Sequence, residues 1–216
     1  KVGGYGMLVR PPIARLLARW ATALLIALAA LPAVAQMPDI DRATRFMNEL
    51  AWGVGHVGGP FELIDQNGKT RTDAEFRGEL LLIYFGYTTC PDIRPAELMQ
   101  IGLAIDKLGG AGDGVQPLFI SIDPERDTPD VLARYVARFH PRLIGLTGTP
   151  KQIRGVADNY KAYYAKYLPP HGTSYLIDHP GCVYLMGRSG EYLYLFSPET
   201  SADSMIAIIR PFLVQH

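Results

Sequence analysis

The sequence predicts an α/β sandwich with a β-hairpin at its N-terminal edge and an insertion in mid-chain. Three observations predict it. Two apolar runs, Leu80 to Phe85 and Pro117 to Ile122, have the length and branched or aromatic composition of buried strands. Each leads through a turn into a stretch with helical spacing. A third signal, Asn67-Gly68 inside an alternating apolar and polar segment, is the strongest short-range mark of a hairpin.

The elements follow in order. Phe61 to Thr72 (FELIDQNGKTRT) is the hairpin. Leu80 to Phe85 is the central strand, broken by Gly86. Pro91 suits a first helical turn, because the amide hydrogen it lacks has no partner there, and Ile93, Leu98, Ile101 and Ile105 continue at helical spacing. After the second strand, Thr128 and Pro129 cap a helix that runs through Leu132, Tyr135, Val136 and Phe139. Leu143 to Leu146 is a short strand, and Thr149-Pro150 opens a helix carrying Ile153, Val156, Tyr160 and Tyr163. Tyr160, Tyr163, Tyr164 and Tyr167 read as a packing stripe with hydrated hydroxyls. Ser174 to Asp178, Val183 to Met186 and Glu191 to Phe196 are strands, the last two joined through Ser189-Gly190, and Ala202 to Leu213 closes the chain as a helix. This alternation matches a thioredoxin-like α/β sandwich over residues 59–216.

Composition limits the rest. With 216 residues, 48% hydrophobic, the chain can bury one substantial core. Formal net charge is zero, but Lys1, Arg10, Arg15 and Arg19 fall in the first 35 residues, where there is no acid. The remainder holds 17 basic against 21 acidic side chains, a net −4. A mildly acidic body without a basic stripe argues against a nucleic-acid partner. Residues 1–35 read as an export signal or membrane anchor: basic residues to Arg19, an apolar run from Trp20 to Leu31, then Ala33-Val34-Ala35. The 16 residues from Trp20 to Ala35 fall short of the roughly 20 that span a bilayer, which favours cleavage. Residues 36–58 read as a linker, with His56 a solvated loop histidine. Gly-rich phosphate loops, zinc-type cysteine pairs and a G-x-S-x-G elbow are absent, so kinase, zinc-finger and hydrolase readings have no support.

The chemically special residue is Cys90. At a helix N-terminus its thiol ionises more readily than a free cysteine's and serves as nucleophile or soft metal ligand. The bland reading is a small buried hydrophobe. Against it stands the strand, turn and helix context, where α/β proteins usually carry their sites. His140 and His171 flank prolines and read as surface groups.

Three segments together, GYTTCPD (86–92), SIDPERDTP (121–129) and YLIDH (175–179), resemble the Sco/SenC family of copper-handling thioredoxin-fold proteins. The resemblance runs from about Gly59 to Leu213. It implies an exported or membrane-anchored protein that helps assemble the binuclear copper centre of cytochrome c oxidase, acting on that enzyme's copper-bearing subunit or with other copper chaperones. It also implies copper binding or disulfide exchange through a C-x-x-x-C pair and one distant histidine. Cys90 matches the first cysteine and His179 the histidine, but Arg94 stands where the second cysteine belongs. A guanidinium cannot ligate a metal, repels a cation and favours a neighbouring thiolate. Cys182, three residues after His179, is open to three readings: a replacement copper ligand, a disulfide partner for Cys90, or a buried structural thiol.

Three functions follow. The first, which the resemblance favours, is a copper-handling assembly factor using Cys90, His179 and in one reading Cys182, a metallochaperone rather than an enzyme. The second is a single-thiol redox protein in which Arg94 activates Cys90. Tyr87 stands where peroxiredoxins have a threonine, so peroxidase chemistry proper is disfavoured. The third is a non-catalytic relative that only docks on an assembly partner.

Overall fold

The central strand forms as its sequence predicts and carries the molecule on both of its faces. A computed structural model describes residues 56–90, 96–170 and 172–214. The predicted signal, most of the predicted linker, Arg94 and His171 lie outside the described residues. Nine strands and four helices follow: β1 (Glu62–Asp65), β2 (Thr70–Thr72), β3 (Leu80–Gly86), α1 (Ala96–Leu108), β4 (Val115–Ser121), α2 (Pro129–Val136), β5 (Ile144–Thr147), α3 (Pro150–Asn159), β6 (Ala165–Tyr167), β7 (Leu176–Asp178), β8 (Val183–Met186), β9 (Tyr192–Phe196) and α4 (Ala202–Leu213). Seven strands form one sheet in the order β2-β1-β5-β4-β3-β8-β9. β3, β4 and β5 run parallel, and the flanking β1 and β8 pair antiparallel with them. The described residues fall in one compact unit, Ala43–His216.

Every residue of β3 is buried, so its alternation sorts the core into two layers. Leu81, Ile83 and Phe85 pack with Leu118, Ile120, Ile153 and Tyr160 on the α3 face. Leu80, Leu82 and Tyr84 pack with Leu98, Ile101, Phe119, Leu132 and Met205 on the face covered by α1, α2 and α4. Full burial of one such side chain contributes about 1.5–3 kcal/mol, which is why a continuous apolar run is stable only as a covered central strand.

Local signals set the boundaries. The hairpin turns at Gly68, whose φ of +77° is costly for any residue with a side chain. Thr128 caps α2, its side chain accepting from the Val131 amide. Thr149 and Gln152 form a capping box at α3. α2 stops at Val136 instead of reaching Phe139. The predicted strand before His179 does form as β7, but it leaves the main sheet and pairs with β6, a strand hidden in the tyrosine stripe. His140 is buried, not a surface group: Nδ1 accepts from the Arg142 amide at 3.1 Å and Nε2 lies 3.4 Å from the Asp106 carboxylate. Pairing with its own backbone and α1 repays the ring's burial.

Candidate functional site

Cys90 stands at the end of the turn that follows β3, and its amide donates to the Tyr87 carbonyl at 3.4 Å. The thiol is half-buried and packs against the α3-face core. Ahead of it, Gly86 keeps the strand end free of a side chain. A Cβ there would come within 2.7 Å of the Tyr84 ring. The residues from Pro91 to Pro95 lie outside the described chain, and the described helix begins at Ala96. His179 follows β7 and is half-buried. Its imidazole meets two tyrosines edge-on, Tyr84 at 6.1 Å and Tyr87 at 5.8 Å between ring centres.

Tyr87 therefore links the two predicted site residues. It is 2% exposed, three positions before Cys90, and its hydroxyl accepts from the Ile177 amide of β7 at 3.2 Å. Burial pushes its phenol pKa up, and the neighbouring Cys90 thiol adds to the rise. Sequence reasoning met Tyr87 only as a residue that was not threonine. Its aromatic neighbours at 84 and 85 gave no sign that its hydroxyl crosses to a strand about ninety residues away.

The segment SIDPERDTP supplies a polar framework. Asp127, fully buried, accepts from the Thr88 amide at 3.1 Å, from the Thr88 hydroxyl at 2.6 Å and from the Ser121 hydroxyl at 2.5 Å. Burial pushes the Asp127 carboxyl up from its ordinary pKa, and those hydrogen bonds from Ser121 and Thr88 oppose the rise. Asp123, also fully buried, pairs with Arg126 Nε and accepts from the Tyr175 hydroxyl at 2.7 Å. The Arg126 guanidinium lies 3.9 Å above the Tyr175 ring, and Nη1 donates to Ser174 Oγ and the Tyr175 carbonyl. The alternating charges before the Thr128 cap were the available signal for this role.

Cys182 is 3% exposed and immediately precedes β8. Burial, then the Glu97 carboxylate, pushes its thiol pKa up to about 11. Both cysteines are free thiols. A protonated, enclosed sulfur is a poor nucleophile and a poor ligand at neutral pH. Iodoacetamide at pH 7 is therefore expected to alkylate Cys90 in the native protein and Cys182 only after unfolding, a difference read directly by mass spectrometry. The same raised pKa sets a sign for stability. The unfolded thiol titrates near 9 and the folded one near 11, so the stability that Cys182 contributes is intact below pH 9 and lost as pH rises toward 11. Two units correspond to about 2–3 kcal/mol, visible as a falling urea midpoint that Cys182→Ala removes.

Among the described residues, no three His, Cys, Asp or Glu side chains form a group able to hold a metal ion. The donors adjoining Tyr87 are one soft thiol and one imidazole, a set suited in type to Cu(I).

Residues 52–213 match the family described as SCO1/SenC. The chain belongs to that family. It is 42% identical over 155 residues to the SCO2-like protein of Rickettsia prowazekii, covering 71% of this chain and 76% of that one. Among solved structures it is similar to Bradyrhizobium japonicum ScoI with copper bound, at 40% identity and a TM-score of 0.66, over 72% of this chain and 99% of that one. A more distant likeness is BsSco, described as a member of the Sco family of cytochrome c oxidase assembly proteins with a disulfide switch. There the identity is 25% and the TM-score 0.61, over 76% of this chain and 96% of BsSco. The thioredoxin-like fold class is thus shared with the family. No described helix is long and apolar enough to cross a membrane.

Proposed function

We propose that this chain is an exported copper-handling factor for assembly of the binuclear copper centre of cytochrome c oxidase, with Cys90 and His179 as its Cu(I) ligands. Copper is cargo here, taken up and passed on. The observation that carries the reading is Tyr87: its backbone turns Cys90, its ring meets His179, and its hydroxyl bonds β7. The copper-bound Bradyrhizobium relative supports the same cargo. Cys182, buried and held protonated, is assigned a structural role. Arg94 replaces a second sulfur and weakens retention of the metal. Residues 1–35 act as export signal or anchor, 36–58 as a linker, and 59–216 as the working domain, in the periplasm or on the outer face of the cytoplasmic membrane. Its partners are the copper-bearing oxidase subunit or other copper chaperones.

An anaerobic Cu(I) titration of the full chain against bicinchoninate tests this. One equivalent should bind, be lost in Cys90→Ala and His179→Ala, and survive in Cys182→Ser. No binding by the wild type overturns the reading; loss in Cys182→Ser restores that sulfur as a ligand. A second reading, single-thiol redox chemistry at Cys90, draws on the contrast between a half-buried Cys90 and an enclosed Cys182. It becomes the better account if copper does not bind and Cys90 is oxidised by peroxide to a sulfenic acid that dimedone traps.

A further inference from the structure

We propose that Arg126 is a positioning residue that holds the strand leading to His179 against the Cys90 turn. The inference rests on the reading of Cys90 and His179 as the Cu(I) pair. Three segments distant in sequence must meet for those two donors to share a metal: the turn 87–90, the loop 121–127 and the ribbon 174–179. The loop grips both others. On one side Asp127 holds Thr88, two residues before Cys90, through backbone and hydroxyl together. On the other, Arg126 donates to Ser174 Oγ at 3.2 Å and to the Tyr175 carbonyl at 3.1 Å, while Tyr175 returns a hydrogen bond to Asp123.

The guanidinium is the hub because it lies between both aromatic rings, 3.9 Å from the centre of Tyr175 and 5.7 Å from that of Tyr87. Tyr87 belongs to the Cys90 turn and Tyr175 to the His179 ribbon. One planar cation thus touches both donor-bearing segments while its Nε is tied to the buried Asp123. A lysine offers no such fork and no planar face. The ribbon needs this grip, because among the described residues β7 pairs only with three-residue β6 and belongs to no larger sheet. A two-stranded ribbon is marginal by itself. Lys166 reinforces it from β6, 2.8 Å from Glu125 and 4.4 Å from the Tyr175 ring centre.

The Ile177 amide reports the geometry directly, because it donates to the Tyr87 hydroxyl across the junction. The test combines amide hydrogen exchange with Cu(I) competition against bicinchoninate, on the full chain. Two variants are compared with wild type: Arg126→Lys, which keeps the charge but loses the planar fork, and Ser174→Ala/Tyr175→Phe, which keeps the Asp123–Arg126 pair and removes the ribbon's side-chain hydrogen bonds to Arg126, Asp123 and Glu125. In both, Ile177 exchange should quicken about tenfold while exchange in β3 and β8 stays unchanged, and Cu(I) affinity should fall about tenfold, the scale of lost outer-shell support at metal sites. Unchanged Ile177 exchange in both variants overturns the proposal. So does faster exchange with undiminished copper affinity. If the wild type binds no Cu(I), the copper reading fails separately, and exchange at Ile177 alone decides whether Arg126 holds the ribbon to the turn.

Discussion

Arg94→Cys is expected to raise the affinity of this chain for Cu(I) by about two orders of magnitude, close to 3 kcal/mol, in competition against bicinchoninate. The reason lies in the donor set. As the sequence stands, C-x-x-x-R offers one sulfur, and the guanidinium brings a positive charge and no lone pair to the proposed Cu(I) site. The substitution removes the cation and adds a thiolate in one step. Position 94 lies outside the described residues, so the expectation comes from spacing: four residues along a helix is about one turn, which sets two side chains on one face. The gain should vanish in Cys90→Ala/Arg94→Cys, since a sulfur at 94 without its partner recovers only a single-sulfur site. A variant that binds no more tightly than wild type would remove Cys90 from the proposed ligand pair.

Asp127→Ala is expected to cost about 3 kcal/mol, a melting temperature lower by roughly 6–12 °C for a domain of this size. Asp127 is 0% exposed and accepts three hydrogen bonds. Alanine leaves the buried Ser121 hydroxyl and the half-buried Thr88 amide and hydroxyl without their acceptor, and unsatisfied buried donors are costly. Calorimetry measures the loss. Asp127→Asn, which retains one acceptor oxygen, should lose less than half as much near neutral pH. The acid also carries a pH signature. Burial raises its pKa in the fold, so the folded state binds this proton more tightly than the unfolded chain does. The resulting increment of stability is present below the unfolded carboxylate value and lost as pH rises through the folded one. Asn, which does not titrate, should flatten that part of the stability curve. An identical pH slope in wild type and Asp127→Asn would contradict the assignment.

The two substitutions act on different layers of one arrangement. Position 94 alters the donor set of the proposed Cu(I) site; position 127 alters how firmly the Cys90 turn is held. Copper affinity should respond strongly to the first, thermal stability to the second. Arg126 joins the second layer, tying the same loop to the ribbon that leads to His179.

Much of this was legible in the sequence because it depends on neighbours along the chain. The Asn67-Gly68 turn, the Thr128-Pro129 and Thr149-Pro150 helix starts, and the β8 and α4 boundaries are set by local backbone preferences that tertiary packing leaves in place. The fold class followed from the alternation of buried strands and helices, and the family from three motifs in order. Cys90 stood out from its strand, turn and helix context, and His179 only from the YLIDH motif that the family resemblance rests on.

What the sequence left open depends on pairings across long separations. His140 looked exposed beside Pro141, yet Asp106 and the Arg142 amide make its burial tolerable. Ala165 to Tyr167 looked like part of a tyrosine stripe, and only its pairing with Leu176 to Asp178 makes it a strand. By itself, the sequence determined the fold class, most of the elements and their order, and it singled out Cys90 and His179 as candidate ligands, because propensity, capping and donor type are properties of short segments. Tertiary structure alone decided that Tyr87 joins the Cys90 turn to the strand that precedes His179, that Asp127 and Arg126 form a polar framework around them, and that Cys182 is enclosed. Those outcomes follow from which distant residues share a buried polar contact, and a linear pattern does not record that.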